Sequence, residues 1–364
     1  RQDASLQSGH FNDFIQTTLL RSAVYRAVAA AGELGLEHDR VAEAVFKTLN
    51  LPLDAYAVDS TVEFAAKVDT EKALRDVLGY LTYLDLRRGW RITSPNLEQC
   101  GLLHIDYQSL DELVGAEHVW SGLHPALAGA SPDERTMVAR TLLDYLRREL
   151  AIKVDYLDNE FQERLAQRSS QRLQGMWAID DQAQLVYANT VLPRSRNNTD
   201  FRGWSYLSGR SGFGRLLRRQ STFASYGKKL SMAETDEVLA GLFSALQRAG
   251  LVEQVEEAKD GTGCYQVPAS ALIWRAGNGT TPYRDPVRMP TASAASLGPN
   301  EFFVKLYRST ADDLVGIEAR EHTAQVSYED REEREERFRK AVLPVLYCSP
   351  TMELGVDIAD LNVV

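Results

Sequence analysis

Two stretches of this 364-residue chain bring together residue types that could do chemistry. The first is Cys348-Ser349-Pro350-Thr351-Met352-Glu353-Leu354-Gly355-Val356-Asp357-Ile358, just after the apolar run Leu343–Tyr347. A hydroxyl, a glycine that lets backbone come close, and a carboxylate past the end of a strand suit an anionic ligand held by free N–H groups. Plainer roles stay open for both polar residues. Ser349 could bond its own backbone in a loop, and Asp357 could cap a helix.

The second stretch is residues 193–230. It carries Arg194, Arg196, Arg202, Arg210, Arg215, Arg218, Arg219, Lys228 and Lys229 against the single acid Asp200, a local charge of +8 in a chain whose net charge is −10. Phe201, Trp204, Tyr206, Phe213, Phe223 and Tyr226 alternate with these cations, and Gly203, Gly209, Gly212, Gly214 and Gly227 keep the segment adaptable. Cations neutralise phosphates and aromatic rings stack on unpaired bases, so the pattern points to nucleic acid. The alternative is a solvated loop whose cations meet the −18 carried by the remaining chain and whose aromatics are core.

The elements that must position these stretches follow from periodicity and caps. Apolar spacing predicts helices over 12–31, 40–49 and 71–87, and a short strand over 101–107. Ser131-Pro132-Asp133-Glu134 and Ser231-Met232-Ala233-Glu234 are capping boxes. The first opens a helix running beyond Leu150, and the second a helix closed by Gly250. Strands over 251–255 and 264–267, joined by a glycine turn at 259–263, follow the second helix. Helix, strand, turn and strand in that order look like half of a winged-helix module, whose helix and wing would present the basic segment to a duplex. Residues 278–300 hold four of the twelve prolines and read as a linker or long surface connection.

Near the end, a strand over 321–326 leads into residues 328–340, eleven of which are charged. Asp330/Arg334, Glu333/Arg337, Glu335/Arg339 and Glu336/Lys340 are acid-then-base pairs four apart, worth roughly 0.2–0.5 kcal/mol each on a helix. Strand, charged helix, strand and glycine loop predict part of a parallel α/β layer.

With Val326-Ser327, Arg331, Phe338 and the Glu-Leu-Gly-Val-Asp sequence at 353–357, this stretch resembles the second RecA-like lobe of superfamily 2 helicases, the DEAD/DEAH-box relatives. The resemblance implies ATP and magnesium as cofactors. It implies a nucleic-acid phosphate contact for Ser349, close backbone approach beside the nucleotide at Gly355, and an ATP ribose contact for Asp357. It covers residues 300–364. Residues 1–300 bear a looser likeness to parts of large bacterial helicases such as those of the DISARM and Druantia phage-defence systems, which implies defence-system partner proteins.

The sequence also departs from that family. No GxxxxGK[ST] phosphate loop occurs, since Gly227-Lys228-Lys229 lacks its leading glycine and hydroxyl. No apolar strand runs into an Asp-Glu pair, and the arginine-finger motif would fall beyond Val364. This segment alone is therefore not expected to hydrolyse ATP, and the phosphate and magnesium sites are expected in a first RecA-like lobe elsewhere in a longer polypeptide. A start at Arg1 and a stop in an apolar run give the same expectation of a piece of a larger protein.

The predicted architecture is a mixture of α-helical and α/β parts. Residues 1–190 form a mainly helical region, 191–277 a basic loop plus winged-helix-like module, 278–299 a proline-rich linker, and 300–364 the start of the motor lobe. The expected function is that of a fragment of an ATP-dependent helicase or translocase acting on DNA, with cofactor-binding residues Gly355 and Asp357. The expected nucleic-acid-binding residues are Ser349, Trp204, Arg210, Arg215, Arg218, Arg219, Lys228 and Lys229. The alternative is a non-catalytic nucleic-acid-binding scaffold. No run of 18 apolar residues exists and no apolar leader is present, and Cys100, Cys264 and Cys348 are widely spaced. Together these predict reduced thiols in a cytoplasmic protein with no membrane segment and no metal knuckle.

Overall fold

The computed structural model describes residues 3–87, 94–180, 183–197, 203–288, 298–323 and 325–348. In chain order the helices are α1 (Asp3–Ala30), α2 (His38–Leu49), α3 (Phe64–Asp85), α4 (Leu110–Gly115), α5 (Glu117–Trp120), α6 (Pro125–Ala128), α7 (Pro132–Arg148), α8 (Asn159–Arg172), α9 (Gly212–Leu217), α10 (Met232–Arg248), α11 (Glu301–Lys305) and α12 (Tyr328–Arg339). The strands are β1 (Leu36–Glu37), β2 (Leu103–Tyr107), β3 (Ile152–Lys153), β4 (Val191–Leu192), β5 (Ser205–Tyr206), β6 (Glu253–Glu257), β7 (Gly263–Pro268), β8 (Leu272–Ala276), β9 (Ala319–His322) and β10 (Val345–Cys348). The molecule is thus a mixed α/β structure. Among the described residues no helix is long and apolar enough to cross a membrane.

The helices form where apolar spacing and caps demand. Both predicted capping boxes are present: the Ser131 and Ser231 hydroxyls accept from the backbone N–H of Glu134 and Glu234, whose carboxylates reach back to the cap residues. Helix α7 stops sooner than its periodicity predicts. Leu150 sits at φ 57°, and the Ala151 N–H turns back to the Leu146 carbonyl at 2.9 Å. Helix α3 starts seven residues earlier than predicted; its first turns expose Phe64 and Val68, and its buried face begins at Thr70.

Strand β8 lies between β1 and β2, antiparallel to both. A second, mixed sheet has the order β3-β7-β4-β5, with β6 also paired to β7. The predicted hairpin is there as antiparallel β6–β7, but β7 also pairs in parallel with β3. It is therefore built into a five-stranded sheet and does not stand free as a wing. One apolar core takes residues from both sides of position 190, among them Leu74, Leu142, Leu146, Phe243 and Trp274, and reaches Phe303 and Tyr307.

Three arginines lie almost wholly inside this core, each with a carboxylate. Arg147 contacts Glu98 at 2.7 and 2.9 Å, Asp144 at 3.1 Å and the Tyr107 hydroxyl at 3.1 Å. Arg135 grips Glu117 at 2.6 and 3.0 Å over the Trp120 ring. Arg21 on α1 pairs with Asp85 at 2.6 Å and donates to Ser94 Oγ and the Tyr307 hydroxyl at 2.8 and 2.9 Å. Burying such ions is costly unless every donor finds an acceptor, and these side chains are satisfied on several sides.

Beyond Pro299 the chain returns to α1. Strands β9 and β10 pair in parallel, Ala319 with Val345 through His322 with Cys348, and α12 connects them. This is the predicted strand–helix–strand unit. Of the four predicted helix pairs, Glu335–Arg339 and Glu336–Lys340 close at 3.3 and 3.1 Å. Arg334 donates to the Glu321 carbonyl and Arg337 pairs with Glu318, each at 2.6 Å, so the other two cations bind the helix to its strand. Asn12 on α1 bonds both backbone groups of Ala319, at 2.9 and 2.8 Å, filling the edge of β9 as a neighbouring strand would.

Candidate nucleic-acid interface

The basic segment is held between α7, α10 and the chain at 285–287. Strands β4 and β5 pair in parallel, Val191 with Ser205, and bracket its first part. There Arg194 is tied to Asp260 at 2.8 Å and to Thr262 at 3.2 Å. Residues 208–214 form a tight turn. The Gly209 N–H donates to Asp236 at 2.7 Å, Ser211 caps α9 at 3.0 Å, and a side chain on Gly214 would strike the Ser208 carbonyl. Further on, Ser225 donates twice to Glu134, at 3.1 and 2.8 Å, so the carboxylate that closes the α7 capping box also anchors this segment.

Fixing the backbone in this way sorts the predicted binding residues. Arg210, Arg215 and Lys229 are exposed and have no ion pair among the described residues. Arg219 is half-buried and donates to the Pro286 and Val287 carbonyls at 2.9 and 3.2 Å, and Arg218 donates weakly to the Gly214 carbonyl at 3.4 Å. Lys228 is exposed but sits 3.1 Å from Glu234 and 5.0 Å from the Tyr226 ring centre. Its hydrogen bonds to Tyr226 and then Glu234 raise its pKa. Glu234 in turn is drawn down to about 2, by the Ser231 backbone N–H first, then the Ser231 hydroxyl and Lys228. Ser349, Gly355 and Asp357 lie outside the described residues, as do Phe201 and Arg202.

The aromatics sort differently. Phe213 and Phe223 are core residues, so they are no stacking platform. Trp204 and Tyr206 are half-buried against Leu192, Ala258 and Cys264. Tyr226 meets His124 edge-on at 5.6 Å. The core-aromatic alternative therefore describes the phenylalanines, while the exposed cations keep the phosphate-binding pattern.

The neighbouring helix and hairpin carry the opposite charge. Residues 231–263 contain seven acids and two bases. Asp236 and Glu237 are exposed on α10, and Glu256 and Glu257 are exposed on β6. Acidic side chains repel phosphates, so the exposed faces of this helix and strand do not themselves favour a duplex. The exposed cations without an ion pair among the described residues form a strip from Arg210 through Arg215 to Lys229.

Cys100 and Cys264 are poor nucleophiles. Burial pushes Cys100 up to about 12 and Cys264 up to about 11. Among the described residues no group of three or more His, Cys, Asp or Glu side chains could hold a metal ion. Sequence reasoning missed Glu134 and Asp236 as anchors of the strip. Glu134 was visible as a capping residue, but its second set of partners lies 91 residues away. No family model, curated protein or solved structure matches this chain.

Proposed function

We propose that this chain is part of an ATP-dependent nucleic-acid helicase or translocase that acts on DNA. The observation that carries the reading is the parallel pairing of β9 and β10 across α12. In a parallel α/β layer ligands bind at the carboxyl ends of the strands. His322 and Cys348 stand in register at that end, and the sequence runs directly from Cys348 into Ser349, with Gly355 and Asp357 following.

In this reading Ser349 contacts a nucleic-acid phosphate and Asp357 the ATP ribose, while Arg210, Arg215 and Lys229 grip backbone phosphates. Lys228 joins them once it leaves Glu234. The sequence has no GxxxxGK[ST] phosphate loop, so no hydrolytic step is assigned to this chain, and in this reading the phosphate and magnesium sites lie in another part of the polypeptide. The chain's own contribution is to hold nucleic acid and to fix the nucleotide's sugar. A role in phage defence, with defence-system partners, rests on the sequence resemblance alone.

The test is nucleic-acid-stimulated ATPase of the full-length polypeptide. Asp357→Ala should raise the ATP concentration for half-saturation about tenfold, the loss of one hydrogen bond to a carboxylate. An unchanged value would remove Asp357 from the site. DNA binding without any ATPase in the wild-type polypeptide would make the protein a non-catalytic scaffold.

A further inference from the structure

Helix α1 and the strand–helix–strand unit built from β9, α12 and β10 leave a cleft of about 380 Å³ between them. Residues 51–55 after α2 and 174–177 after α8 complete its lining. The walls are mostly apolar, with Leu19 of α1, Leu51, Met176 and Ile317 among them. Val315 and Val342, 39% and 57% exposed, leave apolar surface at the same cleft open to solvent. A cavity of this size, with apolar walls and a few polar groups, has the dimensions of a small-molecule site.

The polar lining residues carry a separate observation. Arg320 of β9 and Arg337 of α12 both line the cleft and share a single carboxylate, Glu318, at 2.9 and 2.6 Å. Neither guanidinium has another side-chain partner among the described residues. Arg320 Nε is buried and has no hydrogen-bond partner among them at all. Such a donor costs free energy unless an acceptor reaches it. Two guanidiniums against one carboxylate leave one positive charge and most of their N–H groups uncommitted. The other acid in the lining, Asp54, is exposed on the turn Leu53–Ala55.

We infer that this cleft binds a small monocarboxylate with an apolar body. A guanidinium fork matches the two oxygens of a carboxylate, and the buried Arg320 Nε is a donor already stripped of water. Glu318 and Asp54 oppose a second negative charge, so a dianionic phosphate is disfavoured. The apolar walls take the body of the ligand out of water. The inference stands whether or not the chain belongs to a motor, because none of its residues is assigned to nucleotide or nucleic acid.

The probe is octanoate, titrated into the full chain by calorimetry beside octanol, octylammonium and octyl phosphate, which keep the body and change the head. Saturable binding of octanoate is expected, about tenfold tighter than that of any of the other three. Arg320→Gln should weaken it about tenfold, the loss of hydrogen bonds to a carboxylate. Asp54→Asn should tighten it about twofold by removing a like charge, a change of opposite sign that unfolding could not produce. No saturable binding of octanoate to the wild-type chain would overturn the proposal. So would an affinity no higher than that for one of the other three, or one unchanged by Arg320→Gln.

Discussion

Arginine serves two different purposes in two parts of this molecule. In the helical region Arg21, Arg135 and Arg147 are 1% exposed or less, and each is fixed by a carboxylate and further acceptors. In the strip beside α9, Arg210, Arg215 and Lys229 face solvent without an ion pair among the described residues. The difference is one of reference state. A buried cation whose partner is removed leaves an uncompensated charge in a poor solvent, whereas an exposed cation loses little when cut back. Buried cations therefore report on stability and exposed ones on binding. Arg219 is the intermediate case, inside the basic stretch yet bonded to two carbonyls.

The most damaging way to probe this contrast is Arg147→Ala, which strands Glu98 and Asp144. It should cost about 3–5 kcal/mol in urea unfolding; a loss below 1 kcal/mol would mean that the cluster is no more structural than the surface. Asn12→Ala removes two hydrogen bonds to Ala319 and should cost about 1–3 kcal/mol, with faster amide exchange at β9 as its local signature. Arg219→Ala should cost about 1 kcal/mol and leave DNA affinity unchanged, which would place it with the buried arginines. A fall in affinity without loss of stability would move it to the strip.

Acid should reveal the cap at the strip's edge. Glu234 has a folded pKa of about 2 against an ordinary 4.5. A depressed carboxylate stabilises the fold above its unfolded pKa, and that contribution disappears as pH falls from about 4.5 towards 2. Urea midpoints of wild type and Glu234→Gln should therefore differ at pH 6 and converge near pH 2. Curves that stay parallel would remove Glu234 from the linkage.

Local features of the fold could be read from the sequence. Both capping boxes, the helix over 40–49, the hairpin order and the strand–helix–strand order near the end depend on short-range patterns and are present, although α1 begins at Asp3, nine residues before the predicted start, and β9 covers Ala319–His322 in place of the predicted 321–326. Long-range assembly could not be read. Arg147 follows Leu146 at the end of a helix and looks like a cation placed for the helix dipole; only the approach of Glu98 and Tyr107 makes it core. Phe213 and Phe223 share a composition with base-stacking segments, and only packing turns them inward. The cleft beside α1 joins residues from 19 to 342, so no window of sequence contains it. The glycine loop and its two polar residues were singled out from residue types alone, and they lie outside the described residues.

The smallest expected effect on stability belongs to Arg210→Ala, Arg215→Ala and Lys229→Ala combined, at most about 0.5 kcal/mol for each surface change. The same triple variant gives the most direct test of the strip as a nucleic-acid grip. Affinity for a labelled DNA oligonucleotide should be measured across a salt series for wild type and variant. Weaker binding and a log–log slope shallower by about 2–3 are expected for three lost phosphate contacts. Unchanged affinity and slope would contradict the assignment and leave the basic strip a solvated surface.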